Sequence, residues 1–392
     1  MANLIQTIGQ EIENAGYEFR MTRIRCYSFE EAQYHCFRYW RQSIGEFLGA
    51  DFLAWVAGAL ELANMAEELR KIDPAASLYE RLSGFLTLGG YFDPEDLGGL
   101  QDEVAQWESR TLWEQFKERG DFWAGEGDFE RALVFYRQGL DYDARVELLN
   151  NAGAAHLRLG EYNEAAGLFA RARLIAPDNM DLRLNLIESL VIGGDHEAAA
   201  AEISAASNTN PNEPELLYFR AEIDFQNKNY SRAISILSEA CELKYEPQFI
   251  YRLADCYIKI RLYDKALDAL ATVQEQDGEF LRRQAAVLAA ANNLPMAIKA
   301  LQKAISHNSG DTGLWVTLAQ YHRRDYDLPS AGEAISKAVT LGPQNPRALL
   351  EQARIRKAQG RVREYQAILT RVLLGFKNNY REIEDMITNK TL

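Results

Sequence analysis

Eight consecutive stretches of this 392-residue chain can be laid over one another with a period of 34 residues. One of them, Val146 to Asn179, reads VELLNNAGAAHLRLGEYNEAAGLFARARLIAPDN. The next, Met180 to Glu213, has the same length and again carries a proline, Pro211, near its end. A repeat of this size is a helix–turn–helix that touches only its neighbours, so its core grows in one dimension. Length alone would suggest two or three domains; a stacked array removes that inference.

The turns keep the same phase. Gly127-Asp128, Gly160-Glu161, Gly194-Asp195 and Gly360-Arg361 fall between the two helices of a unit, where glycine tolerates the turn. Phe129, Tyr162, His196 and Val362 follow two places after those glycines, ready to pack the second helix. Pro177, Pro211 and Pro343 close second helices, because proline cannot continue them.

A 34-residue helix–turn–helix with small residues in the middle and a proline at its close resembles the tetratricopeptide repeat family. The resemblance implies small residues where the two helices cross, at places eight, twenty and twenty-seven of each unit. From Trp113 these are Gly120, Ala132 and Gly139; from Val146, Gly153, Ala165 and Ala172; from Met180, Ile187, Ala199 and Ala206, a looser first crossing. Units from Pro214, Gly278 and Thr312 keep alanine at all three places, while that from Pro247, one residue early, ends on Val273. The unit from Pro346 keeps Ala353 but has Tyr365 and Val372, a relaxed terminal crossing. The implied fold is all-α: a right-handed α-solenoid of about eight helix pairs, preceded by an N-terminal helical bundle. The expected divisions are a bundle at 1–110, the array at 111–379 and a cap or tail at 380–392. A capping helix is expected over Asn378–Ile387, with Tyr380, Ile383 and Ile387 on one face.

No 34-residue register extends upstream of about Thr111, yet the pattern stays helical. Phe37, Trp40, Ile44 and Phe47 recur at helical spacing, as do Leu78, Leu82 and Phe85, and Leu97, Leu100, Val104 and Trp107. Asp51, Asp73-Pro74 and Asp93-Pro94 read as helix starts and Gly89-Gly90 as a stop, giving four or five helices, or degenerate repeats, against the first unit. Aromatics and arginines interleave from Tyr17 to Arg41. That mixture can stack single-stranded nucleic acid. A small bundle burying its aromatics while its arginines pair with an acidic body explains it better.

The net charge is −14, unevenly spread. From Glu279 onward there are 17 basic and 10 acidic residues, a balance of +7, against −21 for the rest. The acidic total opposes general nucleic-acid binding, whose affinity comes from phosphate neutralisation. The basic end leaves room for an acidic partner. The first residues lack the order of a signal peptide, and the longest apolar run, Phe52–Leu60, is too short to span a bilayer. Cys26, Cys36, Cys241 and Cys256 form no metal-ligand pattern and read as free thiols in a reducing cytosol. A cytoplasmic protein with no cofactor or metal and no membrane association is expected.

Catalytic patterns are missing. His35, His156, His196, His307 and His322 are scattered, none in HExxH or beside a nucleophile, and the Gly98-Gly99 pair is not followed by GK[ST]. His156 and His322 stand at the eleventh place of a unit, where packing explains them.

The family resemblance implies that first helices line a concave groove, with places two, five, nine, twelve and thirteen facing in. Asn150 is such a residue, flanked by Asn151 and Asn185, and these amides could hold the backbone of an extended peptide. Tyr218, Phe225 and Tyr251 could seat apolar anchors. Arg282, Arg323, Arg324, Arg354 and Lys357 could clamp carboxylates or phosphates. The carboxylate clamp of heat-shock co-chaperones is not matched: Lys117 and Asn151 fit it, but Asp121, Asp181 and Asn185 do not. The expected function is a non-enzymatic scaffold or adaptor holding an extended or helical segment of another protein, acidic where it meets the C-terminal end of the groove. A bundle before such an array also resembles, in architecture only, the peptide-regulated response-regulator phosphatases of Gram-positive bacteria. That alternative implies Gln33 or Gln42 as the residue positioning a water.

Overall fold

The structure, a computed structural model, describes residues 16–375, so the helix expected over Asn378–Ile387 lies outside the described residues. The chain divides into two compact units, Met1–Asp195 and His196–Leu392. Each is taken by itself.

The first unit opens on a feature the sequence did not announce. Strands β1 (Tyr17–Glu18) and β2 (Arg25–Cys26) pair antiparallel, with Tyr17 opposite Cys26. The hairpin drives Phe19 fully inside, stacked on the ring of His35 at 4.1 Å. Six helices follow: α1 (Phe29–Arg38), α2 (Trp40–Ser43), α3 (Ala50–Gly58), α4 (Ala63–Arg70), α5 (Leu78–Thr87) and α6 (Leu100–Glu108).

Several boundaries differ from the expectation. The Phe37–Phe47 stripe is not one helix; the backbone leaves the helical region at Tyr39, with φ −120° and ψ 36°. Asp73 and Asp93 stabilise turns: Asp73 accepts from the Ala75 amide, and Asp93 from those of Glu95 and Asp96. The next helices start later, α5 on a capping box between Ser77 and Glu80 and α6 after Gly99. Gly89 and Gly90, both at positive φ, do end the α5 segment. Phe19, Phe29, Trp40, Phe47, Phe52 and Phe85 are buried, so the bundle takes its aromatics into its core.

Five more helices complete this unit: α7 (Leu112–Gly125), α8 (Phe129–Tyr142), α9 (Val146–Leu159), α10 (Tyr162–Ile175) and α11 (Met180–Gly193). The bundle leans on the first pair. The Arg131 guanidinium on α8 donates to the carbonyls of Met21 and Thr22, each at 3.0 Å, and Arg41 meets Glu118 at 3.1 Å. Close crossings fall where the repeat demands small residues. A Cβ on Gly153 would lie 2.8 Å from the Phe169 ring, and one on Gly120 would enter the Tyr136 ring.

The second unit holds α12 (His196–Thr209), α13 (Pro214–Gln226), α14 (Tyr230–Leu243), α15 (Pro247–Lys259), α16 (Tyr263–Ala271) and α17 (Gly278–Ala290). It continues with α18 (Leu294–His307), α19 (Thr312–Arg324), α20 (Leu328–Leu341), α21 (Pro346–Ala358) and α22 (Val362–Gly375). Consecutive helices pair and stack as in an α-solenoid, around cores of alanine and branched residues such as Ala285, Ala297, Ala304 and Ile335. The period shortens most after Pro247: 31 residues separate it from Gly278, because α16 has nine residues where other second helices have fourteen. Val273 is still buried, but beyond the end of the helix. In the last pair Tyr365 is half-buried beneath Lys357, whose Nζ sits 5.5 Å from the ring centroid, while Val372 is fully buried.

One backbone feature is common to all eight helix pairs. The fifteenth residue of each adopts positive φ: Gly127, Gly160, Gly194 and Gly360, but also Lys228 (63°), Arg261 (61°), Asn292 (63°) and Tyr326 (62°). The turn geometry is therefore set by the stacking of the helices, and four non-glycine residues accept a left-handed conformation to satisfy it.

Candidate functional site

In the first unit the expected amides form a ladder along the first helices. The Asn185 amide on α11 donates to Oδ1 of Asn150 at 3.0 Å, and Asn150 to Oδ1 of Asn151 at 3.3 Å. Asn151 on α9 donates to Oδ1 of Asp121 on α7 at 2.8 Å, and the Tyr136 hydroxyl donates to the same oxygen at 2.9 Å. Lys117 meets the other Asp121 oxygen at 2.6 Å. Lys117 and Asn151, which fit the co-chaperone clamp, thus share a carboxylate supplied by the chain itself. Burial pushes the nearby Glu188 carboxyl up, with Arg158 opposing.

In the second unit the aromatic residues are less open than their places in the repeat suggested. Tyr251 keeps 9% of its surface and belongs to the core. Tyr218 is half-buried and stacked on Phe249 at 5.1 Å, and Phe225 lies edge-on to Tyr230 with the Arg252 guanidinium 4.6 Å above it. Each offers part of one ring face.

A charge ladder runs beside them. Arg252 on α15 meets Glu222 on α13 at 2.7 Å, and Arg283 on α17 meets Asp255 on α15 at 2.8 Å. Glu279 then takes Arg283 at 2.7 Å and Arg282 at 2.6 Å. Burial alone would lower the Arg283 pKa, but the bonds to Glu279 and Asp255 hold it above its ordinary value. Burial likewise opposes the Glu279 charge, yet Arg282 and Arg283 keep its carboxyl below the usual range.

The basic end is organised around one acid. Glu351 on α21 has no exposed surface; Arg323 on α19 reaches it at 2.6 Å and Arg354 at 3.2 Å. The carboxylate brings Arg323 and Arg354 together and offsets one of their two positive charges within the fold. Arg324 instead donates to the Ala289 carbonyl at 2.9 Å and, like Lys357, is exposed and meets no carboxylate among the described residues.

The residues that sequence reasoning missed share one place. Arg252, Arg283 and Glu351 are each sixth in their unit, as Asn151 is, and each reaches the first helix of the preceding repeat. Their signal was available as a polar residue recurring at that place. His156 and His322 also repeat one contact, to Glu161 at 2.5 Å and Asp327 at 3.3 Å, each closing the turn between its two helices.

Gln33 and Gln42 are both buried. The Gln33 amide nitrogen faces the carbonyls of Phe85, Leu86 and Leu88, each at 2.8 Å, and so ties α1 to the end of α5.

Comparison with known proteins agrees with this architecture. The tetratricopeptide repeat family matches residues 156–223, and the family described as anaphase-promoting complex, cyclosome, subunit 3 matches residues 193–273. Yeast Tom70 is similar in structure, with a TM-score of 0.54 and 15% identity, over 88% of this chain and 81% of that one. A tetratricopeptide repeat protein of Parabacteroides merdae has a TM-score of 0.48 and 18% identity, over 59% and 93% of the two chains. At these identities the likeness is one of fold. The human protein O-mannosyl-transferase TMTC1 is 23% identical over 125 residues, 32% of this chain; the chain spans 14% of that relative's length. The helix pairs and their small crossing residues, with the family match over residues 156–223, show that the chain carries tetratricopeptide repeats.

Proposed function

We propose that this protein is a non-enzymatic interaction scaffold, holding an extended or helical segment of another protein against the first helices of its repeats. The observation that carries the reading is the unequal commitment of the basic residues. Arg323 and Arg354 are held by Glu351, whereas Arg324 and Lys357 stand exposed with no carboxylate partner among the described residues. Cations without a carboxylate partner at exposed helical positions suit an acidic stretch of a partner. The Asn150, Asn151 and Asn185 ladder in the first unit offers amide contacts to a peptide backbone. Tyr218 and Phe225 contribute ring faces, while Tyr251 lies in the core.

The reading includes a cytoplasmic location, to which four unbridged cysteines are suited, and no cofactor or nucleic acid. No helix among the described residues is long and apolar enough to cross a membrane. The phosphatase alternative loses support from the buried positions of Gln33 and Gln42, neither of which faces solvent to position a water. The transferase activity in the name of the human relative belongs to a protein of which this chain matches a small part.

The test is a pull-down from native extract with the intact protein beside the Arg324→Glu/Lys357→Glu variant. Arg323 and Arg354 are left alone, because reversing them beside Glu351 would disturb the fold. A partner captured by the wild type and lost from the variant supports the basic face as the site. A partner retained by the variant moves the site elsewhere and overturns this reading.

A further inference from the structure

A cavity of about 450 Å³ opens inside the bundle of the first unit. Its walls are apolar: Ile44, Phe47, Leu48, Leu53, Leu69 and Ile72. Two arginines, Arg70 and Arg81, also line it. Neither guanidinium has an ion-pair or hydrogen-bond partner among the described residues, and the Nε of Arg81 is buried without one.

The neighbouring acids are committed elsewhere. Glu68 is paired with Lys71, Glu80 closes the capping box with Ser77, Asp73 accepts from the Ala75 amide, and Glu46 accepts from the Arg20 amide at 2.9 Å through one oxygen, its other oxygen being buried without a hydrogen-bond partner. Arg70 is exposed to solvent, so the uncompensated donor on this cavity is the buried Arg81 Nε, with Arg70 a second positive charge at its edge. A buried donor without an acceptor is costly, and an arriving anion would remove that cost.

We propose that this cavity is a binding site for a small amphiphile with a single carboxylate, its acyl chain against Leu48, Leu53, Leu69 and Ile72 and its head on Arg81 and Arg70. Small-ligand cavities are of this size, mostly apolar with a few convergent polar groups. An extended peptide or a helix needs a continuous groove, and all of these walls belong to one corner of a single bundle.

The experiment measures binding of decanoate and of decan-1-ol, both below their aggregation limits, to the intact protein by displacement of 8-anilinonaphthalene-1-sulfonate. The expected result is decanoate binding at least about tenfold tighter than the alcohol, with Arg81→Gln removing about tenfold from decanoate and nothing from decanol. Arg70→Gln, at an exposed position, should shift decanoate in the same direction if Arg81→Gln compromises folding. Equal binding of acid and alcohol, no binding of either, or decanoate affinity unchanged in both variants would overturn the proposal.

Discussion

The Nε of Arg323 lies 2.6 Å from Oε1 of Glu351, a carboxylate with no exposed surface on the neighbouring repeat. Removing one partner of a buried pair leaves the other uncompensated, which costs more than the pair contributes when intact. Arg323→Ala is therefore expected to lower stability by roughly 2–3 kcal/mol, because Arg354 still compensates part of the charge. Glu351→Gln should cost less, about 1 kcal/mol, since both arginines retain access to water. Urea unfolding of the two variants checks the order; a larger loss in Glu351→Gln would refute it.

The left-handed turns give a prediction of opposite sign. Tyr326, Arg261 and Lys228 hold a conformation that costs a side chain about 1–2 kcal/mol, partly offset in glycine by its greater unfolded-state entropy. Each change to glycine should raise stability by up to about 1 kcal/mol, and Asn292→Gly by less, because asparagine tolerates this region. Thermal unfolding of the four variants would show the ranking.

Gly120 tests the close crossing. An added Cβ would enter the Tyr136 ring, whose hydroxyl is held by Asp121, so the ring cannot simply move aside. Gly120→Ala should cost about 1–3 kcal/mol, the usual range for overpacking. Gly45→Ala, where a Cβ meets nothing within 4 Å, serves as the control and should be near neutral. Equal stability of the two variants would count against the assigned crossing.

His35 predicts a pH dependence. Burial between Phe19 and Thr22 lowers its pKa to about 4, from an ordinary value of 6.5. Between these values the unfolded chain binds a proton that the folded chain refuses. The contribution is therefore complete above about pH 6.5 and is lost as pH falls toward 4, to a total of about 3 kcal/mol at most. His35→Gln should flatten this part of the stability profile relative to the wild type, measured by urea unfolding at pH 7, 5.5 and 4.5. An unchanged slope would show that other groups carry it.

The array was legible because its constraints are local and repeated. Gly153 had to be small for the Phe169 ring to approach, and the same need recurs at a fixed interval. The bundle was harder to read. Asp73 and Asp93 are good helix caps in isolation, but here each accepts from the amides of a turn that precedes the next helix. The hairpin at Tyr17–Cys26 is only two residues per strand, too short for alternation to appear. At the candidate site, places facing the groove could be counted from the repeat, but their commitment could not. That Glu351 would absorb Arg323 and Arg354 depends on a contact between different repeats, which residue spacing alone does not specify.

The three carbonyls that Gln33 faces also bear on the order of events as the chain acquires its structure. They join residues 52, 53 and 55 positions apart, whereas the helix pairs of the array close through turns of a few residues. Bringing distant segments together carries a larger loop-closure entropy before any contact repays it, and such contacts slow folding. The repeats are therefore expected to zip quickly from neighbour to neighbour, and the bundle that precedes them in sequence to close more slowly.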